Sequence, residues 1–415
     1  MNKTGRLTAM LLSLALCAGV LAGCYDNREI EDLAYVIAIG IDEADGNNFS
    51  LTFQTAVPQA ITGGGGEGTE ITSYKTDNFL AGLKKSSQYL TRTINLSHTK
   101  IIVVSEAIAR KGITAFVNGL QQGMQIRQDI NIIVAAEGAK KYLESIQPKL
   151  TSNPSRYYEL LFKSYESDFL VPNARLQDYL YRSKHQGAQP IAIYTAVDSS
   201  IAESSKPGSG GGKGDSAGGG EKKSGGGSEG GSEKDGGGGE GEQKKMSLEG
   251  LAVFKQDKMV GRLSAREASV FALMTGSNNI NLDIEDPLDN RFKVLSILKR
   301  EKTSKTKVSI KNGKPQIDIE LNLDINVQSV QSDNDYDEPG KADKLSAAYR
   351  VQLEKEIHSL LRKLTYEYKT DIFGYGEMAK GNFTTIDKWE KVKWSEVFPE
   401  SKYGLKLETE VIRHG

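Results

Sequence analysis

The residues whose types and spacing suggest a definite chemistry are Leu21-Ala22-Gly23-Cys24. A branched apolar residue, two small residues that fit a peptidase cleft and a cysteine match a bacterial lipobox, in which the thiol accepts a diacylglyceryl group and cleavage falls before Cys24. The flanks agree. Lys3 and Arg6 make a charged start, and the apolar run from Leu7 to Leu21 reads as an export signal. Crossing a bilayer takes about 20 apolar residues, so the run is too short for a comfortable transmembrane helix. A single acyl chain holds a protein only marginally, at about 0.8 kcal/mol per buried methylene, and two make the attachment durable. The expectation is that residues 1–23 are removed and that Cys24 becomes an N-terminus carrying diacylglyceryl and acyl lipid. Residues 24–32 would then serve as a polar spacer between membrane and fold.

Other chemistry is sparse. Cys17 lies inside the signal, so the mature chain keeps Cys24 alone and has no pair for a disulfide or a cysteine cluster. His98, His185, His358 and His414 stand far apart with no paired spacing, and no metal site is expected. Gly214-Asp215-Ser216-Ala217-Gly218 and Gly226-Gly227-Ser228-Glu229-Gly230 fit a nucleophile elbow in letters only, because neither has the strand before it and helix after it that strain the serine. No catalytic residue is assigned. Asp371, Gly374 and Gly376 invite two readings: a backbone loop shown to a partner, or a tight turn after a long helix with glycines at positive φ. The pair Gly374 and Gly376 does not extend to a dinucleotide fingerprint, since position 379 is Ala379. A formal net charge of −1 gives no reason to expect nucleic acid as a partner.

The elements that would position these residues follow from hydropathy. Leu33 to Asp42 reads as a buried strand, the turn signal Asp45-Gly46 follows, and Phe49, Leu51, Phe53 and Thr55 alternate, which together make a hairpin. Strands are predicted at 70–75, 100–105 and 129–136. Helices are predicted from a cap at Asp77 to Leu90, over 106–122 with a break at Gly112, over 137–146, 156–165 and 175–183. Residues 33–202 thus form an N-terminal α+β region, which the pattern leaves open as one unit or two subdomains. Residues 203–246 are rich in glycine and charge with almost no apolar side chains, which reads as a disordered linker joining two domains without fixing their orientation. A flexible coil of that length spans roughly 35 Å end to end.

Residues 247–415 form the C-terminal region. A hairpin spans 250–263, Ser264 caps a helix, and strands are predicted at 292–301 and 306–310. Asn312-Gly313 is a strong hairpin turn, followed by an alternating run from Ile317 to Val327. A helix from Lys341 to Lys369 shows one apolar stripe, and a last strand runs from Tyr403 to Val411. The fold class is α+β, multi-domain, with mixed or antiparallel sheets and packed helices.

These residues carry a resemblance. The lipobox followed by Asp26, Arg28-Glu29-Ile30-Glu31, Gly40-Ile41-Asp42, and Ser97-His98 running into Lys100 through Glu106, is similar to the N-terminal half of the Ger(x)C family. Glu249 through Phe254, Asp371-Ile372-Phe373-Gly374-Tyr375-Gly376 and the ending Val411-Ile412-Arg413-His414-Gly415 resemble its C-terminal domain. Tyr25 stands where the family usually has Trp, no proline lies between Phe383 and Trp389, and the Gly-rich insertion is unusually long. The resemblance implies three α+β domains in tandem, two of them before the linker, and no enzymatic activity. It implies the lipoprotein C subunit of a spore nutrient germinant receptor, on the outer face of the spore inner membrane beside an A subunit and a permease-like B subunit. Direct contact with a nutrient is left open by it. Two other classes fit the residues alone: an extracytoplasmic solute-binding lipoprotein, which needs a cleft with convergent polar groups, and a cell-wall hydrolase with paired carboxylates.

Overall fold

A computed structural model of the chain describes residues 33–46, 48–56, 69–121, 126–146, 154–164, 174–197, 246–276 and 279–412, with isolated positions near the N-terminus. Strand β1 (Leu33–Glu43) is buried along most of its length, and the alternation in β2 (Phe49–Ala56) supplies its antiparallel partner. A strand apolar on both sides needs cover on both faces. On one face lie the helices Ala139–Ser145 and Pro154–Ser164; on the other lie Phe79–Leu90, Glu106–Lys111 and Leu176–Lys184. Helix starts follow local chemistry: Asn78, one residue beyond the expected Asp77, accepts from the Leu80 and Ala81 amides. Gly112, at φ +123°, ends one helix before the next begins at Thr114, as the break in the apolar pattern predicts.

The first sheet also contains β3 (Thr69–Thr76), β4 (Thr93–Asn95), β5 (Ile101–Ser105), β6 (Asn131–Ala135), β7 (Ile191–Val197), β8 (Met246–Lys255) and β9 (Lys258–Ser264). Its order is β3-β2-β1-β5-β6-β7-β8-β9, with β4 beside β1, and β1, β5, β6 and β7 run parallel. One expectation changes here. Strands from both sides of the Gly-rich stretch complete one sheet, so that stretch does not join independently oriented domains: Val197 and Met246, which bracket it, are register partners in a single antiparallel ladder. Residues 198–245, with the two elbow-like motifs, lie outside the described residues. The insertion is therefore an excursion from a hairpin whose ends are held one strand spacing apart, about 5 Å.

Ser264 closes β9 and opens the helix Ala265–Thr275 with a capping box, its hydroxyl accepting from Glu267 while the Glu267 carboxylate accepts the Ser264 amide. Every residue from Ala268 to Met274 is buried, which a helix tolerates only when it is surrounded. It packs on β8 and β9 of the first sheet and on β10 (Ile280–Glu285) and β11 (Lys293–Arg300) of the second. One continuous apolar core consequently runs through both halves.

The second sheet is built on the 17-residue β13 (Lys314–Val330), which alternates buried and solvent-facing side chains. It pairs antiparallel with β11 and with β12 (Lys305–Lys311), and Asn312 and Gly313, both at positive φ, form the turn. On its other edge β14 (Lys402–Val411) runs parallel to it. The long helix Pro339–Arg362 lies against β14 and buries Leu345, Tyr349, Leu353, Ile357 and Leu361 as one stripe, each worth about 1.5–3 kcal/mol of transfer free energy. The expected continuation to Lys369 is present but widened: Lys363–Tyr368 is a π-turn, and Lys369 ends it at φ +51°. No described helix is long and apolar enough to cross a membrane.

Candidate functional site

Leu21, Ala22, Gly23 and Cys24 lie outside the described residues. Among the described residues no group of three or more His, Cys, Asp or Glu is arranged to hold a metal. A polar arrangement that joins the two halves of the chain lies instead where the chain leaves the π-turn. There the loop from Thr370 to Gly376 meets the segment Gly187–Pro190 and the start of the β8–β9 turn.

The loop is organised by Asp371, which is 2% exposed. Its Oδ1 accepts from the Gly374 amide at 2.9 Å, and its Oδ2 accepts from the Gly376 amide at 2.8 Å and the Trp394 indole at 3.0 Å. Burial pushes its carboxyl up to about 6, against the pull of these donors. Gly374, at φ +81°, turns the chain so that two amides face one carboxylate. Gly376 has a different reason: a Cβ there would lie 2.5 Å from Gly187 Cα and 2.6 Å from the Trp394 ring.

Backbone and side chain then clasp the loop to the first half of the molecule. The Gln189 amide donates to Asp371 O at 2.7 Å, and the Glu377 amide donates to Gly187 O at 3.1 Å. Arg182, on the helix Leu176–Lys184, donates to Ile372 O at 2.8 Å, while burial lowers its guanidinium and the Asp371 charge opposes that shift. Thr370 Oγ1 donates to Phe254 O at 2.8 Å on β8, and the Gln256 amide donates to Gln189 Oε1 at 2.5 Å. Farther along β9, the Tyr368 hydroxyl donates to Arg262 O at 3.0 Å and accepts its amide at 3.3 Å, over Gly261, where a Cβ would meet the ring at 2.2 Å. The exposed edge of the first sheet is thereby capped.

Asp371, Gly374 and Gly376 are all buried, so the loop is not a surface shown to another subunit. What it faces is another part of the same chain. Both carboxylate oxygens are engaged by fixed donors, so the arrangement ties one part of the chain to another. Arg182, Gln189, Gly187 and Trp394 are the partners that sequence reading misses. The pairing of glycines across Gly187 and Gly376 is the one signal of close backbone approach.

The other family-like residues are structural in the same way. Gly40 lets β1 approach Leu143 and Ala139, whose side chains a Cβ would meet at 3.1 and 3.2 Å. Asp42 accepts from the Ala139 and Lys140 amides at 2.7 and 2.8 Å, capping a helix nearly a hundred residues downstream. His98 stacks edge-on against Tyr35 at 5.1 Å. Gly250, at φ +140°, lies where a Cβ would meet Leu263 O at 2.1 Å across the β8–β9 ladder.

Comparison with known proteins gives a consistent picture. Residues 26–197 match the model described as spore germination protein N-terminal domain, and residues 249–415 match the one described as spore germination B3/GerAC like, C-terminal. Spore germination protein KC of Bacillus subtilis (strain 168) is 24% identical over 421 residues, covering 99% of this chain and 96% of that protein. Spore germination protein B3 of the same organism is 22% identical, covering 100% and 99%. The solved structure of the GerBC protein is 18% identical with a TM-score of 0.51, covering 93% of this chain and 100% of that one, a likeness of fold.

Proposed function

This chain belongs to the Ger(x)C family of spore germination proteins, and from that premise we propose that it is the non-catalytic lipoprotein subunit of a nutrient germinant receptor. In this reading the lipids on Cys24 hold it to the outer face of the spore inner membrane. It works there beside an A subunit and a permease-like B subunit, and the folded body serves assembly or signalling.

The observation that carries the reading is the succession of a lipobox and both family domains in one chain, in order and over nearly its whole length. The site chemistry is compatible with it: the polar cluster around Asp371 fixes one part of the chain to another, with both carboxylate oxygens occupied.

The test is made in the organism's own spores. Deletion of the gene is expected to abolish dipicolinate release with one nutrient class while leaving a receptor-independent trigger effective. Cys24→Ala is expected to reduce membrane association and the nutrient response together. A Cys24→Ala strain that responds fully to every nutrient overturns the anchoring role, and a deletion strain that does so in the absence of a second receptor overturns the receptor role.

A further inference from the structure

Strand β14 is an edge. It pairs with β13 alone, and the Ile412 amide donates to Ile325 O. Strand alternation then turns the amide and carbonyl of Tyr403, Leu405, Leu407 and Thr409 away from β13. Ser346 Oγ donates to Thr409 O at 2.6 Å, but among the described residues no donor or acceptor meets the backbone of Tyr403, Leu405 or Leu407 on that side. The edges of β9 and β12 are covered, the first by the Tyr368 hydroxyl and the second by Asn382 Nδ2, which donates to Val308 O at 2.8 Å. Apolar surface accompanies the unpaired edge of β14. Tyr403 and Leu405 are only half-buried beside the buried Ile317 and Ile319 of β13, and Tyr366, near Tyr403, is 58% exposed. An unpaired edge flanked by exposed apolar side chains is a template for another strand.

We infer that this edge pairs with the same edge of a second copy of the chain, antiparallel about a two-fold axis at Leu405, joining two five-stranded sheets into one. The charges choose the occupant and the register. On the outer face of β14, Lys402 and Lys406 precede Glu408 and Glu410, so a reversed copy sets bases against acids. With Leu405 opposite itself, Tyr403 faces Leu407 and Lys402 faces Glu408, each in duplicate. Moving the axis to Gly404 sets Lys402 against Lys406, and moving it to Lys406 sets that lysine against itself. An axis at Leu407 needs Thr409 O, which Ser346 holds. Gly404 supports the same register. It leaves a hollow on the outer face, lined by Asp318, Glu320, Lys305 and Lys307, and Asp318 Oδ1 leans over it, 2.7 Å from where a Gly404 Cβ would stand. Among the described residues Asp318 forms no ion pair and accepts only from Gln316. Lys406 of the second copy, opposite Gly404, meets that carboxylate across the gap. This inference goes beyond the receptor reading and does not rest on it.

The full chain, purified in detergent, is made as two single variants, Lys402→Cys and Glu408→Cys. These positions face each other across the axis but lie about 20 Å apart within one chain, so oxidation should cross-link the mixed variants and neither variant alone. Lys402→Cys mixed with Lys406→Cys, two residues out of register, is the control. Sedimentation of the parent chain over a range of concentrations should show a dimer. Glu408→Lys, which sets lysine against Lys402 twice, should weaken it about tenfold, and the exchange Lys402→Glu/Glu408→Lys should restore it. The rescue separates lost pairing from lost folding. A monomer at every concentration, cross-linking that ignores the register, or charge reversal without rescue overturns the inference. The same oxidation is repeated in the membranes of the source cell. A product of twice the chain's mass supports self-pairing there, and one joining the chain to a different protein assigns the edge to another strand and overturns it.

Discussion

Two aspartates, one in each kind of setting, show what a buried carboxylate does in this fold. Asp371 ties the two halves together and Asp286 ties a loop within the second half, and both are hidden from solvent at 2% and 1% exposure. Their proton affinities nonetheless move in opposite directions. Asp371 lies between the buried Thr370 and Ile372 and is held by two backbone amides and an indole, and burial prevails, lifting it from 3.8 to about 6. Asp286 lies between the exposed Glu285 and Pro287. Burial pulls it up too, but Ser332, Tyr336, the Leu288 amide and Asn334 together outweigh it, and the carboxyl is held down at about 2. Equal concealment does not mean equal desolvation: the depth of surrounding protein and the number of donors decide the sign. Asp371 is costly to ionise where it stands and is kept by the geometry it enforces, whereas Asp286 is stabilising as an anion.

The contrast breaks first at Asp371→Ala. That change strands the Gly374 and Gly376 amides and the Trp394 indole in a buried place, at about 1–3 kcal/mol for each unsatisfied donor. A loss of about 4 kcal/mol in denaturant unfolding is expected, with hydrogen exchange accelerating in the short helix Tyr375–Lys380 and in Gly187–Gln189 together. An unchanged midpoint would mean that the clasp holds without its acceptor.

The next effect is a pH dependence. Because the folded-state pKa of Asp371 lies above its unfolded value, the folded chain binds the proton more tightly between the two. Its contribution is therefore most favourable below about 4 and declines as pH rises through about 6, by on the order of 3 kcal/mol. Asp371→Asn costs stability at every pH and should remove that decline, read as the difference between melts at pH 4 and pH 7 relative to the parent. Asp286 has the opposite sign: its contribution is present above 3.8 and is lost as pH falls through about 2. Asp286→Asn is expected to cost on the order of 2 kcal/mol at neutral pH, and the cost should shrink as pH falls from 3.8 through about 2.

How far the sequence leads can be judged from the same two places. Strict alternation in β13, the Asn312-Gly313 turn and the stripe from Leu345 to Leu364 identify the second half's strands and long helix, because one-sided burial writes a period into the residues. The turn at Gly374 is legible for a similar reason, since positive φ selects glycine. The direction in which that turn faces is not. Gln189 and Trp394 reach Asp371, and Arg182 reaches its neighbour Ile372, across long stretches of chain, and tertiary contacts of that kind leave no local pattern. The sheet that closes over the Gly-rich insertion is hidden in another way. Composition sets the Gly-rich stretch apart, but Ile191–Val197 and Met246–Lys255 are each an ordinary apolar run, and nothing in either says that they are neighbours.

The smallest effect sharpens the comparison most. Tyr336→Phe removes one hydroxyl from Asp286 and leaves the Ser332, Asn334 and backbone donors in place. If the low proton affinity is the sum of several donors, losing one raises the carboxyl only part of the way from about 2 toward 3.8 and costs about 1 kcal/mol at neutral pH. The acid limb of the stability curve should then move to higher pH by a fraction of the Asp286→Asn effect, with no change between pH 4 and pH 7, where Asp371 governs the slope. A full return to the ordinary value would mean that Tyr336 alone sets the state of Asp286. The difference between the two aspartates would then rest on a single hydroxyl and not on the depth at which each is held.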